Sequence, residues 1–316
     1  MIDNHSHYAE AGAEDLYLIK LDDATSIPDI VARVKARVAV AKPGAYVLGR
    51  GWDQCKPAER RYIYASDLDV GNTGYPTMDP EVYRQMVRLF HQAGISVGTH
   101  AIGDRAVDWV VDTYALVEKE RPIPGLRHSI IHANFPTPHA VDVMAELEKQ
   151  YDAGYLEVQP VFLWWFGQSW LPTLGADRLG LVFPLKTYSD RGIRWTSGTD
   201  YGVAPLAPRY GLWAAVEREA LDGKHPFDAT LGVDIHTALR SYTAAAVPQL
   251  FLEKQIGSLE PGKRADIAVW DRNPDSIPSA DLKNLKCEMT ILDGKSVYSR
   301  LSRAQYISPV QRSARQ

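Results

Sequence analysis

Two histidines one residue apart open the chain, in MIDNHSH. On a strand, residues i and i+2 project to the same side, so His5 and His7 can reach one ion. Asp3 can support them from behind or simply begin the strand. Three more chemistry-bearing residues close short apolar runs: His100 ends ISVGTH, His132 stands near the end of RHSIIHA, and Asp200 ends IRWTSGTD. Four imidazoles and one carboxylate suit zinc or a similar borderline divalent ion. Such an ion lowers the pKa of the water it binds and polarises a carbonyl. Asp200 is then the expected base, taking a proton from that water and passing it to the leaving group. Residue type does not separate zinc from iron or manganese. His91, His128, His139, His225 and His236 read as ordinary residues; His128 shares a strand with His132 but lies four residues earlier, at the wrong end for the cluster.

These side chains need a scaffold that ends several strands at one level. Strand-like runs recur at MIDNHSH, YVLGRGWD (46–53), ISVGTH, RHSIIHA, YLEVQP (155–160) and IRWTSGTD. Helix-like stretches separate most of them. Asp79 can cap a helix whose first residue is Pro80, with Val82, Met86, Leu89 and Phe90 on one face. Residues 103–119 carry Ala106, Val107, Val110, Val111 and Tyr114 at helical spacing, and Thr137 with Pro138 opens another helix. Residues 211–220 and 236–247 read as helical too. Strands alternating with helices of this length predict a mostly parallel sheet, in which polar groups at the strands' C-terminal ends form the site. From residue 256 the character changes. ADIAVW and the two short runs about Asp293-Gly294 predict a small β element over 256–302, followed by a loose tail over 303–316.

Bulk properties narrow the classes. The 316 residues are 45% hydrophobic, enough for one large domain or two ordinary ones. Lys and Arg total 35 against 39 Asp and Glu, a formal charge of −4, so neither nucleic acid nor anionic lipid is an expected partner. No run approaches a membrane span, and the N-terminus lacks the basic-then-apolar pattern of a signal peptide. Cys55 and Cys287 fit no metal or redox spacing, which agrees with a reducing, cytoplasmic setting. There is no G-x-S-x-G elbow for a metal-free α/β hydrolase. GRG at 49–51 and GSLEPGKRAD lack the spacing of nucleotide loops.

Together, HSH after an apolar start, THAIGDRAVD (99–108), the histidine of IIHAN, SGTDYGVAP (197–205) and GSLEPGKRADIAVWDRNP (257–274) resemble the amidohydrolase superfamily. More narrowly the chain resembles its YtcJ-like, amidohydrolase-3 branch, which GRGWD (49–53) and SYTAAAV (241–247) also match. The resemblance implies a distorted (β/α)8 barrel of the TIM type with a small β-sandwich domain. It implies a metal-dependent hydrolase of C–N bonds in amides, formamides or related compounds. His5 and His7 match the first-strand ligands, His100 and His132 those of the fifth and sixth strands, and Asp200 the eighth-strand aspartate, both ligand and general base.

The departures are as informative. Family members usually carry a β-rich segment before the HxH strand; here only residues 256–300 are expected to contribute to the sandwich. Six strand candidates stand where barrel closure needs about eight. YASDLD (64–69) runs straight into GNTGYPT (71–77), whereas the family has a long stretch between such pieces that supplies middle strands and a bridging lysine or glutamate. Lys56 and Glu59 are weak substitutes for that ligand. The expected α/β fold is therefore an incomplete or distorted barrel over 1–255, its open edges suited to cover by a second copy in a homo-oligomer. Trp164, Trp165 and Trp170 in FLWWFGQSW either line a substrate pocket or pack over the barrel mouth; Trp52 and Asp53 either touch substrate or cap a loop. The expected activity is hydrolysis of a small-molecule amide using one or two divalent ions, with zinc first. The alternative is a catalytically impaired remnant that acts as a binding or oligomeric protein.

Overall fold

The computed structural model describes residues 19–21, 23–40, 49–50, 78–174, 178, 182–221, 223 and 227–300. At its centre four short strands, β3 (Gly98–Ala101), β4 (Ser129–His132), β5 (Tyr155–Val158) and β6 (Trp195–Ser197), pair in parallel in that order. A separate parallel pair joins β1 (Ile19–Lys20) to β2 (Gly49–Arg50), with helix α1 (Ile27–Val40) between them in sequence. β4 and β5 are buried almost throughout, as strands covered on both faces must be.

The crossover helices begin where the sequence places them. α2 (Pro80–Gln92) is capped by Asp79, whose Oδ1 accepts the amides of Glu81 and Val82 at 2.8 and 3.2 Å. α3 (Asp104–Glu120) follows β3 after one turn. α4 (Pro138–Tyr151) is capped by the Thr137 hydroxyl, which accepts from the Ala140 amide at 2.9 Å. Val107, Val110, Val111, Tyr114 and Val117 of α3 and Ala140, Met144 and Leu147 of α4 form the core with Ile130, Leu156 and Val158. Tyr114 also threads its hydroxyl between strands, bonding the Thr99 hydroxyl at 2.7 Å and donating toward the Ser129 carbonyl at 2.8 Å.

FLWWFGQSW, to which the sequence periodicity assigns no element, lies inside α5 (Val161–Leu174). Apolar residues on most of its sides give little amphipathic signal, and Val161, Phe162 and Leu163 are buried in the core. The stretch 236–247 is not one helix. α8 (Ile235–Ser241) gives way to 3-10 turns at Ala244–Ala246 and Pro248–Leu250, the chain leaving the helix at Thr243, where φ is −137° and ψ −104°.

α6 (Leu185–Asp190) precedes β6, and α7 (Pro208–Glu217) follows it. α7 stops at Arg218, which adopts φ 53° and sends a fully buried guanidinium to the carbonyls of Val182, Phe183 and Asp228. Burial lowers its pKa to about 10, and three acceptors make the burial tolerable. The C-terminal element is an antiparallel sheet of β7 (Ile267–Trp270), β8 (Cys287–Leu292) and β9 (Lys295–Ser299). Asp293 and Gly294 turn between the last two with φ 50° and 75°, the left-handed pair that a two-residue hairpin requires. Leu282 and Leu285 from the preceding turn insert into the main core, and the Arg209 Nε of α7 donates to the Lys283 carbonyl at 2.9 Å. No described helix is long and apolar enough to cross a membrane.

Candidate functional site

The four parallel strands deliver polar residues to one end of the sheet. His100 is the third residue of β3 and His132 the last of β4; Gln159 directly follows β5, and Asp200 lies three residues beyond β6. His100 is exposed, whereas His132, Gln159 and Asp200 are buried. The rings of His100 and His132 meet edge to face, 4.3 Å between centroids and 74° between planes. Asp200 enters from two strands away, roughly 10 Å across the sheet at ordinary strand spacing. His5, His7, Trp52, Asp53, Lys56 and Glu59 lie outside the described residues.

The meeting of the two rings has a backbone cause. Register pairs His100 with Ile131 and Ala101 with His132, so a regular ladder sends the two imidazoles to opposite faces. The chain leaves that pattern at His132, where φ is 80°, and at Ala133, where it is 47°. Asp200 is also left-handed, with φ 52°, and its carbonyl accepts the amides of Val203 and Ala204. Such conformations cost non-glycine residues about 1–3 kcal/mol and concentrate where function requires them.

His132 is held on three sides. Phe162, from the first turn of α5, lies nearly parallel to its ring at 5.8 Å and 19°, opposite in character to the edge contact with His100. Its Nδ1 is 2.7 Å from Oε1 of Gln159. The glutamine's other end donates Nε2–H to the Glu157 carbonyl at 3.0 Å. A carbonyl only accepts, so the amide NH2 must face Glu157, and the amide oxygen must face His132. That oxygen also only accepts; His132 therefore carries its proton on Nδ1 and its lone pair on Nε2. Sequence reading passed over Gln159 and Phe162. The usable signal was positional, since Gln159 directly follows its strand on the side of the sheet where His132 ends β4.

The tryptophans of α5 belong to an aromatic cluster. Trp164 stacks on Tyr210 at 4.5 Å and 18° and meets Trp213 edge-on; Trp165 tilts against it at 5.7 Å. Trp170 touches Phe135, Phe166, Phe183 and Phe227.

A second polar cluster lies at the other end of β4. His91, Glu118 and His128 are all buried, with one ligand-type atom from each within 4.8 Å of the others. Hydrogen bonds settle what they do. The Val97 amide donates to Nδ1 of His128 at 3.1 Å, which places that ring's proton on Nε2. Nε2 donates to Nδ1 of His91 at 2.9 Å, and Nε2–H of His91 donates to the Arg121 carbonyl at 2.7 Å. Glu118 accepts the Ile123 amide on Oε2 at 2.9 Å, while its buried Oε1 accepts no hydrogen bond. A cation here would have to strip the Nε2 proton from a ring whose other nitrogen already faces an N–H. The pair of imidazoles is a neutral, directional chain tying α2 and the end of α3 to β4. Burial lowers the His128 pKa to about 4 and raises that of Glu118.

Comparison with known proteins fits this geometry. The putative amidohydrolase YtcJ of Bacillus subtilis is 26% identical over 234 residues, 73% of this chain and 43% of that protein. The N-substituted formamide deformylase of Arthrobacter pascens is 28% identical over 223 residues, 70% of this chain and 39% of its own length. The chain thus spans less than half the length of these relatives. A metal-dependent hydrolase from Pyrococcus horikoshii superposes with a TM-score of 0.54 at 26% identity, over 67% of this chain and 41% of that one. The parallel α/β sheet and this neighbour are consistent with a partial TIM-type barrel. The model of the amidohydrolase family matches residues 1–71 and 64–298, and the chain belongs to that family.

Proposed function

We propose that the chain is a metal-dependent hydrolase of a C–N bond in a small amide or formamide-like compound. The observation that carries the reading is the convergence of His100 and His132 at the C-terminal end of the sheet, on backbone that departs from strand geometry to bring them together. The donors fit a divalent cation of the zinc class: imidazoles and a buried carboxylate, with the His132 proton already committed to Gln159. His100, His132 and Asp200 would hold the cation, with His5 and His7 as the further ligands. A cation so held supplies Lewis acidity and water of lowered pKa. Asp200 accepts the proton released when water adds to the carbonyl carbon and returns it to the departing nitrogen, which leaves as a neutral amine. Its burial excludes bulk solvent that would otherwise compete for that proton. Trp164 and Trp165 are proposed as the apolar wall for the nitrogen substituent. The relative that acts on N-substituted formamides supports that class of substrate.

One observation favours the rival, a catalytically impaired remnant. β3 is an edge among the described strands, and Val82, Met86, Leu89 and Phe90 of the adjoining α2 are exposed along one helical stripe. A barrel short of strands leaves such a face uncovered, and a second copy is the proposed cover. The two readings separate on elemental analysis and an assay with N-substituted formamides. The hydrolase carries stoichiometric metal and releases formate, and both are lost in His100→Ala; the remnant folds without either.

A further inference from the structure

We infer that Gln159 is the positioning residue that selects which nitrogen of His132 faces the cation, a role that rests on the hydrolase reading above. The glutamine is fully buried and both ends of its amide are committed, to Glu157 behind and His132 ahead. It cannot turn over without setting its NH2 against the His132 proton and its oxygen against the Glu157 carbonyl. The same junction of β5 and α5 supplies Phe162 three residues later, flat against the ring. One short segment therefore fixes both the protonation pattern of His132 and the plane in which Nε2 is offered. Metal-bound histidines commonly donate their other N–H to an acceptor, and loss of that acceptor weakens metal binding about 10- to 100-fold. Here the acceptor is an amide rather than a carboxylate, so it orients the ring without adding a negative charge beside the site.

The test uses wild-type protein, Gln159→Met, which keeps length and flexibility but has no acceptor oxygen, and Gln159→Glu, which restores an acceptor. Imidazole nitrogen NMR on metal-free protein reads the His132 tautomer directly. Wild type is expected to show Nδ1–H; Gln159→Met is expected to shift toward Nε2–H. Zinc competition against a chromophoric chelator is expected to give a 10- to 100-fold weaker site in Gln159→Met and recovery of most of that loss in Gln159→Glu. A wild-type ring protonated on Nε2, or equal zinc affinity in wild type and Gln159→Met, overturns the assignment. Equal weakening in both variants with an unchanged tautomer also overturns it, because packing alone would then explain the loss. Zinc binding that survives His132→Ala overturns the hydrolase reading instead. The two failures are distinguishable because the tautomer is read without metal.

Discussion

Strand β4 is preceded by one histidine, His128, and ends on another, His132, and the two ends have opposite characters. At the C-terminal end, His132 meets His100 on left-handed backbone and commits its Nδ1 proton to Gln159. At the N-terminal end, His128 meets His91 beside Glu118, and every ring nitrogen is consumed by a chain running from the Val97 amide to the Arg121 carbonyl. By residue type the two clusters are near twins, each with two imidazoles and a buried carboxylate within the fold. What separates them is the direction of the hydrogen bonds. One cluster turns a lone pair away from its supporting acceptor; the other closes lone pair onto proton in sequence and fastens helices to the sheet.

The difference can be broken at either end. The largest expected effect is on turnover: Asp200→Asn should lower kcat by about 10²- to 10⁴-fold while leaving the unfolding midpoint nearly unchanged. Substitution of His91 or His128 should do the reverse.

The next effect is a pH dependence of stability. The folded chain refuses a proton at His128 until about pH 4, whereas the unfolded chain takes it up near 6.5. The unfolded state thus binds more protons in that window, and stability falls as pH drops from 6.5 toward 4, by roughly 3 kcal/mol for this group. Glu118 acts in the opposite sense. Its folded pKa is raised by burial, so its contribution is full below its ordinary value of 4.5 and is lost as pH rises through the folded value. Glu118→Gln should therefore steepen the fall toward acid, and His128→Gln should flatten it. Urea unfolding at a series of pH values reads both; a slope unchanged by His128→Gln would remove the histidine chain as its source.

Smaller still, His91→Ala should cost about 1–3 kcal/mol by leaving the His128 donor and the Arg121 carbonyl without partners, with metal content unaltered. Glu118→Gln should raise stability at neutral pH, because it removes a carboxylate whose ionised form burial disfavours.

Much of the scaffold was legible from local chemistry. Asp79 with Pro80 and Thr137 with Pro138 announce helix starts because the capping bond is a property of a few adjacent residues, and both bonds are present. The strands leading to His100, His132 and Asp200 were readable because buried parallel strands are short apolar runs with abrupt polar stops, although β6 itself ends at Ser197, three residues short of Asp200. The largely apolar α5 was not, since apolar residues on most sides of a helix leave no clear periodicity. The partnership of Gln159 with His132 was also hidden: a contact between residues 27 apart depends on strand register, which no local pattern records. His128 looked ordinary; its neutrality comes from burial and its tautomer from the Val97 amide, neither of which local sequence records.

The central claim is that a cation is gripped at the C-terminal end of β4 and not at its N-terminal end. Metal content per chain, measured by elemental analysis on purified wild type, His132→Ala and His128→Gln, tests it most directly. The account predicts stoichiometric divalent metal in wild type, its loss in His132→Ala, and its retention in His128→Gln. Metal kept by His132→Ala and lost from His128→Gln, or a folded wild-type chain without any, would contradict it.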